Sequence, residues 1–278
     1  MKLISLHSKP IQVARVVALC GAALALPVAS YADTSFTIST SVGSFLAAGL
    51  PNNPVGTNLT TLNFGSAGTF ALAPASSTKG ASDSVLMFST ASAVSQFNSL
   101  YGVGHWTITG VTLSLASNFG VQGQQPNNGI FNTINAGSFG IDWLADNSWV
   151  AGSGGGMGGT GYPNNNSVSY AYIPTLLSFG YDSLGTFTYT PPGNNVYLSY
   201  NLPLDGNLVS GAAAGGDVSF LLYAADNQVS YLFNSSNFAS NHPELTLNVA
   251  PVPEPGTLAL LTAAFGGLWI TRRQKKYS

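Results

Sequence analysis

Asp142 and Asp146, four residues apart, are the nearest approach in this chain to an acid–base pair. On a strand both would face one side at about 13 Å, and only an intervening loop could bring them to the roughly 5 to 9.5 Å at which paired carboxyls hydrolyse glycosides. No histidine lies beside them. His105 and His242 are too few and too far apart in sequence to suggest zinc, and they read as turn or hydrogen-bonding residues. Serines are so numerous that no Ser-His-Asp order can be singled out. The expectation is therefore no catalytic residue, with turn and capping roles for the two aspartates. No cofactor is expected either, apart from a structural calcium ion. Asp142, Asp146, Asp182, Asp205, Asp217 and Asp226, with asparagine carbonyls, are hard oxygen donors of the kind calcium takes, but their spacing places no metal site.

Aromatic rings are the better clue to a ligand. Trp149 and Tyr162 flank the glycine-rich tract 151–161, where an exposed ring could stack on a sugar face, and they are the candidate ligand-binding residues. Tyr170 and Tyr172 also fall in or beside a loop, whereas Trp106 and Trp143 lie inside strand-like runs and are expected in the core. The tract lacks the Gly-Lys-Ser/Thr ending of a phosphate cradle, and no apolar helix follows it, so it reads as a flexible loop.

The elements that must carry these residues are short strands. Period-2 alternation recurs over residues 35–40, 57–64, 85–89, 106–115, 139–144, 186–190, 196–200, 218–223, 229–233 and 245–249, with Gly, Asn, Pro and Ser between them. About ten strands and no long helical segment predict an all-β chain, an antiparallel β-sandwich of jelly-roll type. One short helix is expected over 93–101, where Ala93, Phe97, Leu100 and Tyr101 share a face, and a helical turn over 174–178. Asn127, Asn128 and residues 164–166 read as turns. Asn58 and Asn234 open sequences that match the glycosylation acceptor pattern.

Of 278 residues only 6% are charged, against about 25% in ordinary globular chains. The 45% that are hydrophobic suffice for a core. Between residues 33 and 252 Lys79 is the one basic side chain among nine acids, a side-chain charge of −8. Such a surface cannot neutralise a phosphate backbone, which excludes nucleic acid as a partner and disfavours anionic membrane surfaces.

The remaining basic residues gather at the two ends. Lys2, Lys9 and Arg15 precede the apolar run 16–26, Pro27 follows, and Ser30 and Ala32 set small residues before a cleavage point between Ala32 and Asp33. Residues 1–32 thus read as a signal peptide that engages the Sec translocon. Its Cys20 is the only cysteine, so the exported body, residues 33–250, has neither disulfides nor thiol chemistry. At the other end stand Pro253, Glu254 and Pro255, an uncharged run over 256–271, then Arg272, Arg273, Lys275 and Lys276. Sixteen helical residues span about 24 Å, a short transmembrane helix whose basic end stops on the cytoplasmic side. Residues 251–278, in this order, resemble the PEP-CTERM sorting signal. That resemblance implies an exosortase as partner, transient residence in the inner membrane through 256–271, and a precursor later released to the cell surface or matrix of a Gram-negative bacterium whose envelope carries exopolysaccharide.

Within the body, Ser84 to Phe88 followed by Trp106 to Leu115, then Gly216 to Tyr223, Tyr231 to Ser236 and His242 to Leu247, is similar to the DNRLRE-type jelly-roll domains. The resemblance implies a carbohydrate-binding-module-like sandwich of the kind found beside polysaccharide-active proteins. The arginines usual near the last two motifs are replaced by residues 234–237 and His242, so no ligand role of theirs is carried over. The function expected is that of an exported, non-catalytic module associated with envelope polysaccharide. The alternatives are a structural matrix or adhesion protein and, third, a polysaccharide lyase or hydrolase.

Overall fold

The computed structural model describes residues 33–50, 58–118, 136–190, 193 and 195–252. The signal peptide, the Pro253-Glu254-Pro255 motif, the run 256–271, the basic end and Asn127–Asn128 lie outside the described residues. Residues Asp33–Ala250 form one compact unit.

Its strands are β1 (Thr34–Ser39), β2 (Val42–Ala47), β3 (Leu62–Asn63), β4 (Thr69–Leu72), β5 (Ser82–Ser89), β6 (Trp106–Ala116), β7 (Gly137–Leu144), β8 (Gly159–Thr160), β9 (Tyr181–Tyr189), β10 (Tyr197–Leu202), β11 (Asp217–Ala224), β12 (Tyr231–Asn234) and β13 (Glu244–Pro251). One sheet runs β1-β13-β6-β10 and the other β2-β5-β11-β7-β9. Setting aside the edge strand β2 and numbering the other eight strands of the two sheets in chain order (β1, β5, β6, β7, β9, β10, β11, β13), the orders are 1-8-3-6 and 2-7-4-5. Pairings such as β1 with β13 and β11 with β5 and β7 are antiparallel.

Alternation explains the inner layer. Along β13 Leu245, Leu247 and Val249 are buried while the residues between are half-buried, and they meet Phe88, Phe139, Ile141, Val218, Phe220 and Leu222 of the facing sheet in one core. The ribbon β4–β12 adds Phe70, Leu72, Tyr231 and Phe233, and the Tyr231 ring stacks on Tyr189 at 4.3 Å. In β5 and β11 alternation gives way to continuous apolar runs, because both faces of the larger sheet are covered. Its outer face, with Leu46, Val85, Met87, Leu144 and Leu221, lies beneath Trp149, Ala151, Val168 and Leu176 of the segment after β7.

Among the described residues three helices fill connections. α1 (Ala91–Tyr101) buries Ala93 and Phe97, with the Phe97 ring 5.2 Å from Trp106. α2 (Ile173–Ser178) follows a 3₁₀ turn at Tyr170–Tyr172. α3 (Gly206–Ala213) is capped by the Asp205 carboxylate, which accepts the N–H groups of Asn207 and Leu208. Among the described residues no helix is long and apolar enough to cross a membrane.

β2, β4, β8 and α3 go beyond the elements expected from sequence. β2 carries Ser44 and Gly43 between apolar residues that face two different layers, which erases the period-2 signal. In α3, Gly206 and Gly211 interrupt the helical face formed by Leu208, Val209 and Ala212.

Candidate functional site

Trp149 is 4% exposed. Its indole N–H donates to Ser219 Oγ at 3.0 Å, and its ring packs over the outer face of the large sheet. The expectation of an exposed stacking platform is corrected at this residue. The apolar outer face needs a cover, and the chain leaving β7 returns to provide it. Tyr162 is half-buried and meets Tyr172 edge to face at 5.0 Å. Trp106 and Trp143 are half-buried against the main core.

Asp142 and Asp146 have different partners. Asp142, 5% exposed, accepts the Tyr223 hydroxyl at 3.3 Å; burial raises its carboxyl above the usual range against hydrogen bonds from Ser183 and Tyr223. Asp146 closes its own turn, with Oδ1 accepting both the N–H (2.8 Å) and the hydroxyl (2.6 Å) of Ser148. Asp182 accepts Asn207 Nδ2, Asp205 caps α3 and Asp217 is exposed at the start of β11. Among the described residues no three of His, Cys, Asp and Glu gather as a metal cluster. His105 is exposed in the turn after α1, and the His242 ring pairs with the Phe238 carbonyl at 2.7 Å.

The glycine tract is packed at Gly152 and Gly154 and again over residues 158–161, while Gly155, Gly156 and Met157 between them stand exposed. Asn63, 2% exposed, holds it from the centre: Oδ1 accepts the Gly154 N–H at 2.6 Å and Nδ2 donates to the Thr160 carbonyl at 2.5 Å, while Asn63 and Gly159 pair across β3 and β8. A Cβ on Gly154 would lie 2.1 Å from the Asn63 carbonyl oxygen and 2.4 Å from Gly159 N, both backbone atoms. Gly154→Ala is expected to lower stability by about 2 kcal/mol, read as a reduced denaturation midpoint, whereas Gly155→Ala, in open space, leaves it nearly unchanged. The groove of about 560 Å³ along this loop is lined mainly by backbone, and the Asn63 amide in it is already engaged.

A second cleft, of about 430 Å³, opens beside the outer face of the large sheet, where Asp83, Tyr170, Tyr223, Asp226 and Asn227 meet a wall of small apolar residues. Asp83 comes from β5, cross-strand from Leu46; Tyr223 comes from β11, and Tyr170 from the 3₁₀ turn. The turn is tied down by the Ala171 N–H on the Thr60 carbonyl at 2.8 Å. Gly140 makes room for Tyr223, since a Cβ there would lie 2.3 Å from the ring's Cζ.

The two carboxyls of this cleft differ. Burial pushes Asp83 up to about 7, opposed by one backbone N–H, from Ala224. At Asp226 burial acts upward, but three backbone N–H groups outweigh it and hold the carboxyl below the usual range: Gln228 and Val229 on Oδ1 at 2.8 and 2.7 Å, Ser138 on Oδ2 at 2.8 Å. Burial also raises the Tyr170 hydroxyl, with the Asp83 charge adding to it. Near neutral pH the cleft therefore holds a carboxyl able to donate as well as accept, a tightly held carboxylate, and two neutral phenols. Sequence reasoning placed Tyr170 near a loop but missed Asp83 and Tyr223. The one available signal was an aspartate among the polar opening residues of β5, a strand whose latter part is apolar.

Comparison with known proteins finds one family match, and it falls at the C-terminal end: residues 251–275 fit the PEP-CTERM protein-sorting motif. No curated protein matches the chain. The matched segment takes in Pro253, Glu254, Pro255, Arg272, Arg273 and Lys275. The chain thus carries a PEP-CTERM sorting motif, which marks it as an exported protein sorted by exosortase.

Proposed function

We propose that the body of this protein is a non-catalytic module that associates with uncharged envelope polysaccharide, one sugar residue sitting in the Asp83 cleft. The observation that carries the reading is the group of hydrogen-bonding side chains in that open cleft: Asp83, Tyr170, Tyr223 and Asn227 offer donors and acceptors suited to sugar hydroxyls. A side-chain charge of −8 over residues 33–252 disfavours a polyanion and leaves a neutral polymer as the fitting partner. The state of the carboxyls supports the non-catalytic reading. The second carboxylate lining the cleft, Asp226, has both oxygens engaged by backbone N–H groups, which leaves Asp83 without a free acid–base partner there. The wound strand order of the two sheets supports a jelly roll. In this reading the Sec translocon exports the chain, residues 256–271 hold the precursor in the inner membrane, and exosortase releases it to the surface or matrix of a Gram-negative cell.

Binding of the compact unit to the host's exopolysaccharide and to a panel of neutral glycans tests this. Tyr170→Phe, which keeps the ring and removes the hydroxyl, is expected to weaken binding about tenfold, the worth of one well-made hydrogen bond, while Tyr162→Phe leaves it unchanged. Absence of binding at millimolar sugar would discard the reading in favour of a structural matrix role.

A further inference from the structure

We propose a calcium site at the end of β7, built on Asp146 Oδ2 and Asn147 Oδ1. Asp146 is 8% exposed, and its Oδ1 carries the whole of the turn-closing work for Ser148. Its other oxygen, Oδ2, is covered from solvent and receives no hydrogen bond. The next residue repeats the situation: Asn147 Oδ1 is also covered and accepts nothing. Two buried acceptors on consecutive residues, one of them anionic, leave a lasting deficit of positive charge, because a buried carboxylate oxygen without a partner is costly.

The protein's own cations do not meet that deficit. Lys79 is the one basic side chain between residues 33 and 252, and it is exposed in the loop before β5. The carboxylate is felt nearby: burial first, and then the Asp146 charge, raise the Tyr172 hydroxyl. Both open acceptors are hard oxygens, which select calcium or magnesium over softer metals. Calcium tolerates irregular oxygen sets completed by carbonyls and water, whereas magnesium demands near-ideal octahedral geometry. A site with a single carboxylate belongs at the weak end of the range, about 0.1 to 1 mM, which suits an exported protein.

The test is a calcium titration of the compact unit Asp33–Ala250 after chelation, followed by calorimetry, by thermal melting and by terbium luminescence sensitised through neighbouring aromatic rings such as Tyr172. Calcium is expected to bind with a dissociation constant of about 0.1 to 1 mM, to raise the melting midpoint by a few degrees at saturation, and to displace terbium. Magnesium at equal concentration is expected to do neither. Asp146→Asn keeps an oxygen for Ser148 and removes the charge, and Asn147→Ala removes the second ligand. Each is expected to weaken calcium binding at least tenfold while the metal-free melting midpoint stays within a few degrees of the parent. No heat and no shift at 10 mM calcium, about ten times the weakest affinity expected, would overturn the site and assign the two oxygens to buried water. A calcium response that survives in both variants would overturn it equally, by placing the ion elsewhere.

Discussion

Asp83→Asn is expected to make the domain more stable above neutral pH and to remove most of the pH dependence of its stability between pH 4 and 7. The folded state holds this carboxyl protonated up to about 7, while the unfolded chain releases the proton near 3.8. The folded state therefore binds the extra proton, and the stabilisation it brings is complete below about pH 4 and lost as pH rises towards 7. A shift of about three units corresponds to roughly 4 kcal/mol as an upper figure. Asparagine keeps an oxygen for the Ala224 N–H, carries no charge at any pH, and so escapes the loss. Urea denaturation of both proteins at pH 5 and pH 8 checks this. The parent should lose several kcal/mol between the two and the variant little, and parallel losses would show that the proton sits on another group.

Asn234→Leu is expected to lower stability by about 3 to 5 kcal/mol although the side chains are nearly equal in size. Asn234 is completely buried. It accepts Asn118 Nδ2 at 2.7 Å and donates to Asn195 Oδ1 at 2.7 Å and to the carbonyls of Ser240 and Asn241 at 3.1 Å. Asn241 donates in turn to the Asn195 carbonyl, and both residues sit in the left-handed region, at φ 52° and 61°. Leucine breaks the centre of this network and seals polar atoms in a dry pocket. Thermal melts of the variant beside Gln228→Leu, at an exposed position where the backbone N–H alone is engaged, separate this loss from any general effect of added apolar surface. The same burial removes Asn234 as a glycosylation acceptor, while Asn58 remains exposed.

The sheets were legible where one strand face meets the core and the other meets water. Ile38 and the Leu245, Leu247, Val249 series announce β1 and β13 by alternation alone. α1 was legible too, because Ala93 and Phe97 stand four apart on one face. Legibility failed where a second layer covers the sheet. Trp149 looked like a loop aromatic free to stack, and nothing in its neighbourhood revealed that Leu144, Val168, Leu176 and Leu221 would close around it. The packed part of the glycine tract was hidden for a related reason, since Gly154 and Thr160 are held by Asn63, about ninety residues earlier in the chain. The cleft joins Asp83, Tyr170 and Tyr223 from three distant segments, so no local spacing could have brought them together. The sorting motif is the opposite case. A receptor reads it as a linear string, and the string was sufficient.

The pairing of β1 with β13 sets Thr34 opposite Val249, so the two chain ends of the domain leave from the same corner. β13 has β1 on one side and β6 on the other, and it is the strand that continues into residues 251–275. Any pull transmitted along that continuation runs parallel to the strand, and the hydrogen bonds to both neighbours must then yield together in shear rather than open one by one like a zipper. The C-terminal exit is thus an interior thread of the fabric, whereas the N-terminal strand β1 forms a hem at the sheet's edge.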